Sequence, residues 1–353
     1  MIVVAGHICL DLIPAFLGGS EVAPGSLTEV GAATVATGGA VANVGQTLHR
    51  LGAPVRLVAN VGDDLFGEGI RRILDANGLA GDLGVRPGEA TSYTVVIDPP
   101  GNDRAFLHAP GCNASFGAMD VRDAMLAPGV HLHFGYPPLM RRISANHGAE
   151  LTALFRRAKA RGCTTSLDMS LPDPTSDSGR LDWARVLRGV LPFVDVFAPS
   201  AAELAYFFRD LHPGDADPLH LLELARRCRS LGAKTVVVKA GDRGLLVQDK
   251  SEVFWVPAHE VNVVGATGAG DAAIAGLLFA LRQELDLREA AQFAATVGAL
   301  ACEAPDAVSG VPTAEDARAR QAKLQPKDPE LGPGWECDAG VYVPVSGRPS
   351  LQA

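Results

Sequence analysis

The 353-residue chain predicts an α/β fold: a doubly wound, mostly parallel sheet with helices on both faces, and a small β-sheet lid. Two observations carry that expectation. Short β-branched runs alternate with longer helical patterns, the signature of crossover units that build a parallel sheet. Two stretches, 13–37 and 91–112, break the alternation, and in the second TSYTVVID and RAFLHA flank a Pro-Pro-Gly-Asn turn and read as a hairpin. A small sheet near the carboxyl ends of the parallel strands, where ligands of such folds sit, would act as a lid.

Taken in order, strands are expected at 2–5, 55–61, 130–134, 164–168, 194–198, 235–239 and 245–248. Helices are expected at 41–51, 67–77, 149–161, 201–209, 218–231, 272–283 and 286–302. The main domain then comprises 1–12, 38–90 and 113–322, and the lid 13–37 and 91–112. The Pro/Gly-rich tail at 323–353 is expected to be irregular and docked through Trp335 and Tyr342.

Composition narrows the class. Apolar residues at 47% and charged residues at 20% suit a turn-rich globular enzyme better than a coiled coil or a disordered chain. A formal net charge of -9 without any basic run argues against a nucleic-acid surface. Six widely spaced cysteines with no C-x-x-C pair read as thiols of a reducing compartment, so a cytoplasmic location is expected. The apolar N-terminus is interrupted by His7 and Asp11 and lacks a basic leader, so it reads as a strand rather than a signal peptide. No apolar span reaches the ~20 residues of a membrane helix, and no membrane partner is expected.

The stretch GATGAGDAAIAGLLFAL, from Gly265, holds the chemistry. It lacks the lysine of a P-loop. It satisfies G-x-G-x-x-A from Gly268 to Ala273, yet the position about 20 residues on, where a dinucleotide fold needs a strand-end acid, is Glu289 inside a helical pattern. A nicotinamide-dependent oxidoreductase is thereby disfavoured. A helix N-terminus welcomes phosphate, and Asp271 in that same turn is poorly placed as a phosphate ligand but well placed as a base toward an alcohol. On the loop alone, a plain helix cap at Asp271 explains the residue equally well.

Several ordered motifs resemble the ribokinase-like, or PfkB, family of carbohydrate kinases, from Ile2 to about Ala319. They are Ala266-Thr267-Gly268-Ala269-Gly270-Asp271 before a helix, Gly38-Gly39 with Asn43, Leu51-Gly52, and Gly62-Asp63-Asp64-Leu65-Phe66-Gly67. Asp11 after the first strand, Pro199-Ser200-Ala201-Ala202-Glu203, and Lys239-Ala240-Gly241-Asp242-Arg243-Gly244 follow in family order. The resemblance implies an ATP-dependent kinase using Mg²⁺, acting on a sugar or nucleoside hydroxyl. It implies Asp271 as general base, with Gly268, Ala269 and Gly270 as the anion hole. Asp11, Gly38, Gly39 and Asn43 would meet the acceptor, joined by Arg104 among the cations of the lid segments. Lys239, Gly241, Gly244, Thr267, Gly268 and Gly270 would border ATP, and Glu203 would hold magnesium through water.

Two positions depart from the family. Gly265 stands where an aspartate usually helps hold a monovalent cation, so potassium activation is not expected, and Ser200 replaces the usual asparagine. A plain sugar acceptor is preferred over a nucleoside because aromatic content is 6% and no basic cluster marks the lid. Phe16, Phe106 and His108 are further candidates there, and a regulator that kept the fold without catalysis is the rival of a different class. His131 and His133 alternate on one strand without a third ligand, so a metal site is not expected there. Lid-sheet edges can pair with a second copy, which makes a homodimer through the lid an expectation.

Overall fold

The computed structural model describes residues 1–17, 24–79, 81–98, 105–209 and 217–345. In chain order its N-terminal elements are β1 (Ile2–Gly6), β2 (Cys9–Ile13), β3 (Thr34–Gly38), α1 (Ala40–Arg50), β4 (Val55–Gly62), α2 (Leu65–Ala76) and β5 (Asp82–Arg86). Next come β6 (Tyr93–Ile97), β7 (Ala105–Ala109), β8 (His131–Gly135), α3 (Arg141–Ala160), β9 (Thr164–Asp168), α4 (Trp183–Val190) and β10 (Val196–Phe197). The rest are α5 (Ala201–Phe207), α6 (Pro218–Ser230), β11 (Thr235–Lys239), β12 (Leu245–Gln248), β13 (Val253–Val256), α7 (Ala269–Arg282), α8 (Leu287–Ala301), α9 (Ala314–Gln321), β14 (Trp335–Asp338) and β15 (Val341–Pro344).

The main sheet has the order β14-β15-β13-β12-β11-β10-β9-β8-β1-β4-β5. From β5 across to β11 neighbouring strands are parallel, and from β11 to β14 they are antiparallel. Such parallel strands must be apolar on both faces, and β1, IVVAG, is buried throughout. Its side chains divide between two cores, Ile2 and Val4 facing α1, α7 and α8, Val3 and Ala5 facing α3 and α4. Helix α7 is apolar nearly all round because α8 covers its outer face.

The lid is a separate sheet of order β3-β2-β6-β7. It starts earlier than the sequence pattern suggested. Gly6 adopts φ 127, a conformation closed to side chains, and turns the chain out of the main sheet so that Cys9–Ile13 joins the lid. Asp11 therefore sits on lid strand β2, not at the end of β1. The tail is also more regular than expected: β14 and β15 form a hairpin whose Tyr342 pairs with Trp255 of β13, and Trp335 meets the Trp255 ring edge-on at 6.2 Å. Aromatic packing on an open sheet edge supplies the order that the Pro/Gly composition conceals. The helix expected from 149 corresponds to the regular part of α3, whose backbone is non-helical at Ala145–Gly148. No helix among the described residues is long and apolar enough to cross a membrane.

One ionic pin ties the sheet's lower edge. Asp195, directly before β10, accepts from Lys159 at 2.6 Å and from the Thr165 amide at 2.9 Å, and pairs with Lys234 at 2.7 Å. Burial pushes its carboxyl up, but the two ammonium groups and the amide win and hold it below the ordinary range. A group with a depressed folded pKa contributes stability above its unfolded value near 3.9, and that contribution disappears as pH falls through the folded value. Asp195→Asn is expected to lose about 1–3 kcal/mol at pH 7, and thermal denaturation should show the gap to the parent closing as pH falls below about 4.

Candidate active site

Two cavities open at the carboxyl edge of the parallel strands. One, of about 800 Å³, lies under the lid and is lined by His7, Asp11, Gly39, Asn43, Thr94 and His108 among others. The second, of about 470 Å³, runs along Glu203, Lys239, Gly241, Gly244 and the first turn of α7 toward Val261, Val263 and Ala299. Three residues, Tyr136, Gly268 and Asp271, line both.

Asp271 is at the junction and is 2% exposed. The reason is local: Gly268 takes φ 74 ahead of α7, and a Cβ there would collide with Ala307, so only glycine lets the chain turn into the helix at this depth. The Asp271 carboxylate accepts from the Asn43 amide at 2.9 Å and from the Tyr136 hydroxyl at 2.8 and 2.7 Å. Burial raises its pKa, and Lys239, Asn43 and Tyr136 oppose the rise. A capping role for Asp271 is not the geometry found, since Gly268 occupies the cap and no side chain bonds it.

Lys239 ends β11 and donates to Asp168 at the end of β9, 2.6 Å away. Burial would strip its proton, yet Asp168, Glu203 and Asp271 together hold the ammonium above its ordinary value. Asp168 is fully buried and its carboxyl is lifted to about 7 by that burial, against the pull of Lys239. Its Oδ2 has no protein partner. Glu203 stands in the first turn of α5, where it and Ser200 cap the helix reciprocally: Ser200 N–H donates to Glu203 Oε2 at 2.7 Å, and Glu203 N–H to Ser200 Oγ at 3.2 Å. The backbone N–H of residue 200 thus holds the Glu203 carboxylate, while the serine hydroxyl caps the Glu203 amide. Gly241 and Gly244 do form the turn of the β11–β12 hairpin, and that turn borders the second cavity.

On the lid side, Asp11 accepts from the Cys9 thiol at 3.2 Å, and burial lifts its carboxyl to about 6. Gly38 packs on that carboxylate so closely that a Cβ would overlap it. Gly39, at φ 83, lets α1 begin against His7. Asn43 spends its NH₂ on Asp271, while its Oδ1 has no protein partner. Thr267 opens onto the cavity under the lid, and Ala269 and Gly270 onto the other. Phe106 and His108 line the cavity under the lid, whereas Phe16 is in a short bridge with Val30 and is not among its lining residues. Arg104 lies outside the described residues. At Gly265 a Cβ would come within 2.9 Å of the Ala304 carbonyl and 3.0 Å of the Pro305 carbonyl, so no side chain fits without a shift. His131 and His133 are engaged with Ser166, and no group of three or more metal-ligating side chains gathers among the described residues.

Three participants escaped the sequence reading: Tyr136, Asp168 and His7. Tyr136 and Asp168 stand at carboxyl ends of parallel strands, the rule that could have found them. His7 sits in the β1–β2 turn, with its Nε2 3.3 Å from that of His108 and its pKa lowered well below ordinary by burial, then by His108.

Comparison with known proteins gives the fold and the family. The chain is 29% identical to fructokinase-2 of Zea mays over 339 residues, which is 92% of this chain and 94% of that protein. A fructokinase with bound ATP from Xylella fastidiosa superposes with TM-score 0.74 at 21% identity, over 91% of this chain and 98% of that one. The aminoimidazole riboside kinase of Salmonella enterica, solved with its riboside and an ATP analogue, gives TM-score 0.73 at 24% identity, over 91% and 99%. Residues 1–314 match the pfkB family carbohydrate kinase, and the chain therefore belongs to that family.

Proposed function

We propose that the protein transfers the γ-phosphoryl group of ATP to a hydroxyl of a sugar, with Asp271 as general base. The observation that carries this reading is the meeting of two separate cavities at one buried carboxylate. ATP would lie in the smaller cavity with its phosphates against the α7 N-terminus, where the amides of Gly268, Ala269 and Gly270 face developing negative charge. The sugar would lie under the lid, with Asp11 and the unpartnered Asn43 Oδ1 accepting from its hydroxyls. Asp271 would then take the proton of the attacking hydroxyl. Lid closure over the acceptor would exclude water.

The site suits magnesium. Glu203 opens onto the nucleotide cavity and Asp168 leaves one oxygen without a protein partner. Such sparse carboxylates are what a largely hydrated Mg²⁺ held by phosphates requires. When bound, the ion would neutralise charge on the triphosphate.

A sugar is preferred to a nucleoside because the acceptor wall formed by His7, Asp11, Thr94 and His108 is polar. Fructose is the first acceptor to assay, since relatives at 26–29% identity are named fructokinases. The regulator reading is disfavoured by the complete arrangement around Asp271 and by the intact Lys239–Asp168 pair.

In a coupled ADP-release assay, Asp271→Asn is expected to retain ATP binding and lose at least ~100-fold in turnover; near-normal turnover would remove Asp271 from the role of base. Acceptor affinity should follow the ionisation of Asp11. With its carboxyl near 6, the KM for the sugar should rise as pH drops through about 6, and Asp11→Asn should raise KM at all pH and abolish that inflection. A KM inflection surviving in the variant would assign it elsewhere. Because Gly265 leaves no acid behind the loop, rates in potassium, sodium and tetramethylammonium salts of equal ionic strength should coincide. Selective activation by potassium would show that the surrounding carbonyls suffice for a cation.

A further inference from the structure

Tyr136 is held by more than its ring. It follows Gly135 at the end of β8 and adopts φ 65, ψ 43, a left-handed conformation that a bulky residue avoids, directly before Pro137. Backbone strain of that kind persists only where the surroundings impose it. Here the Tyr136 N–H donates to the Asp168 carbonyl at 3.2 Å and its carbonyl accepts from the Leu139 N–H at 3.0 Å. The strained turn aims the phenol at Asp271, where its hydroxyl lies 2.8 Å from one carboxylate oxygen and 2.7 Å from the other. That is the place from which an acceptor hydroxyl would hand over its proton. Tyr136 also lines both cavities, so it stands on the path between ATP and whatever approaches the base.

Resting on the assignment of Asp271 as base, we propose that the Tyr136 hydroxyl occupies that base in place of the acceptor and bars water from it until a sugar arrives. The reaction suppressed is hydrolysis. A water oxygen would form a bond to the γ-phosphorus as the bond from phosphorus to the bridging oxygen breaks, ADP would leave with that electron pair, and the water proton would pass to Asp271. The phenol shares its one proton between both carboxylate oxygens and Asn43 binds one of them, so the phenol stands where a water would have to sit to pass its proton to a remaining lone pair. When a sugar binds, its hydroxyl takes one carboxylate oxygen and Tyr136 keeps the other, so that the tyrosine becomes a positioning residue. The phenol does not itself supply or take the proton: burial, then the nearby Asp271 and Asp168, keep it protonated at all working pH. The groups facing the base are Asn43 from α1, Tyr136 after β8 and Lys239 from β11, with Asp168 and Glu203 behind the lysine.

The test uses the full chain with Mg²⁺ and ATP, measuring ADP release without sugar and the ratio of sugar phosphate formed to ADP released with it. Tyr136→Phe is expected to raise acceptor-free hydrolysis about tenfold, the scale of one hydrogen bond to a charged group. It should also lower the coupling ratio and shift the acid limb of the turnover profile to higher pH, because Asp271 loses a donor that favours its ionised form. Hydrolysis, coupling and pH limb all matching the parent would overturn the proposal. Tyr136→Gly relieves the left-handed backbone and opens the same space to water, so it reports if Tyr136→Phe fails to fold. The double variant Tyr136→Phe/Asp271→Asn separates the two readings. Its hydrolysis should fall back to the parent's low rate, whereas hydrolysis as fast as in Tyr136→Phe alone would show that Asp271 is not the base.

Discussion

A carboxylate buried at the head of an apolar helix is the constraint on which this molecule depends. Asp271 is almost without solvent, and an ionised acid in that position costs several kcal/mol unless hydrogen bonds and opposite charge offset it. The compensation is drawn from distant parts of the chain: Asn43 from α1, Tyr136 from the end of β8, and the Lys239 ammonium from the end of β11. Each of these stands at the carboxyl edge of the sheet or on the helix beside it. The fold thus gathers at one edge the groups that favour the ionised form of the acid against its burial.

The same arrangement divides the site. Asp271 faces two cavities, one roofed by the lid with His7, Asp11, Thr94 and His108 among its lining residues, the other ending in small apolar residues of the Val261–Val263 segment and α8. Lys239 is shared among carboxylates rather than being free for phosphate alone, and Asp168 is its direct partner. The Lys239 ammonium is thus held by Asp168, Glu203 and Asp271 together. Asp11 belongs to the lid rather than the body, whereas Asp271 stands in the first turn of α7 in the main body.

The extended tail adds a structural layer outside the region shared with the family, which ends at residue 314. Its hairpin continues the sheet past β13, and residues 325–327 run beside 258–260 through the Glu260 N–H to Gln325 and Lys327 N–H to Ala258 bonds, each 2.8 Å. Lys327 reaches the rim of the nucleotide cavity in this way. The sheet edge that would otherwise be open is covered by this chain's own end.

The amino-acid sequence by itself determined the alternating α/β pattern, the accessory sheet and the glycine-rich turn before α7, because these depend on periodicity and on backbone freedom at glycine, which are local properties. It also marked Asp271, Asp11 and Asn43 through motifs of fixed spacing. Tertiary structure alone decided the rest. Tyr136 reads in sequence as an aromatic before two prolines, and only the meeting of the end of β8 with the first turn of α7 brings it to an acid 135 positions away. Asp168 and Lys239 are 71 residues apart and meet because β9, β10 and β11 are neighbours in the sheet. The lid boundary and the ordered tail were hidden for the same reason: a turn at Gly6, the edge-on contact of Trp335 with Trp255 and the pairing of Tyr342 with Trp255 act across strands, where no local pattern can register them.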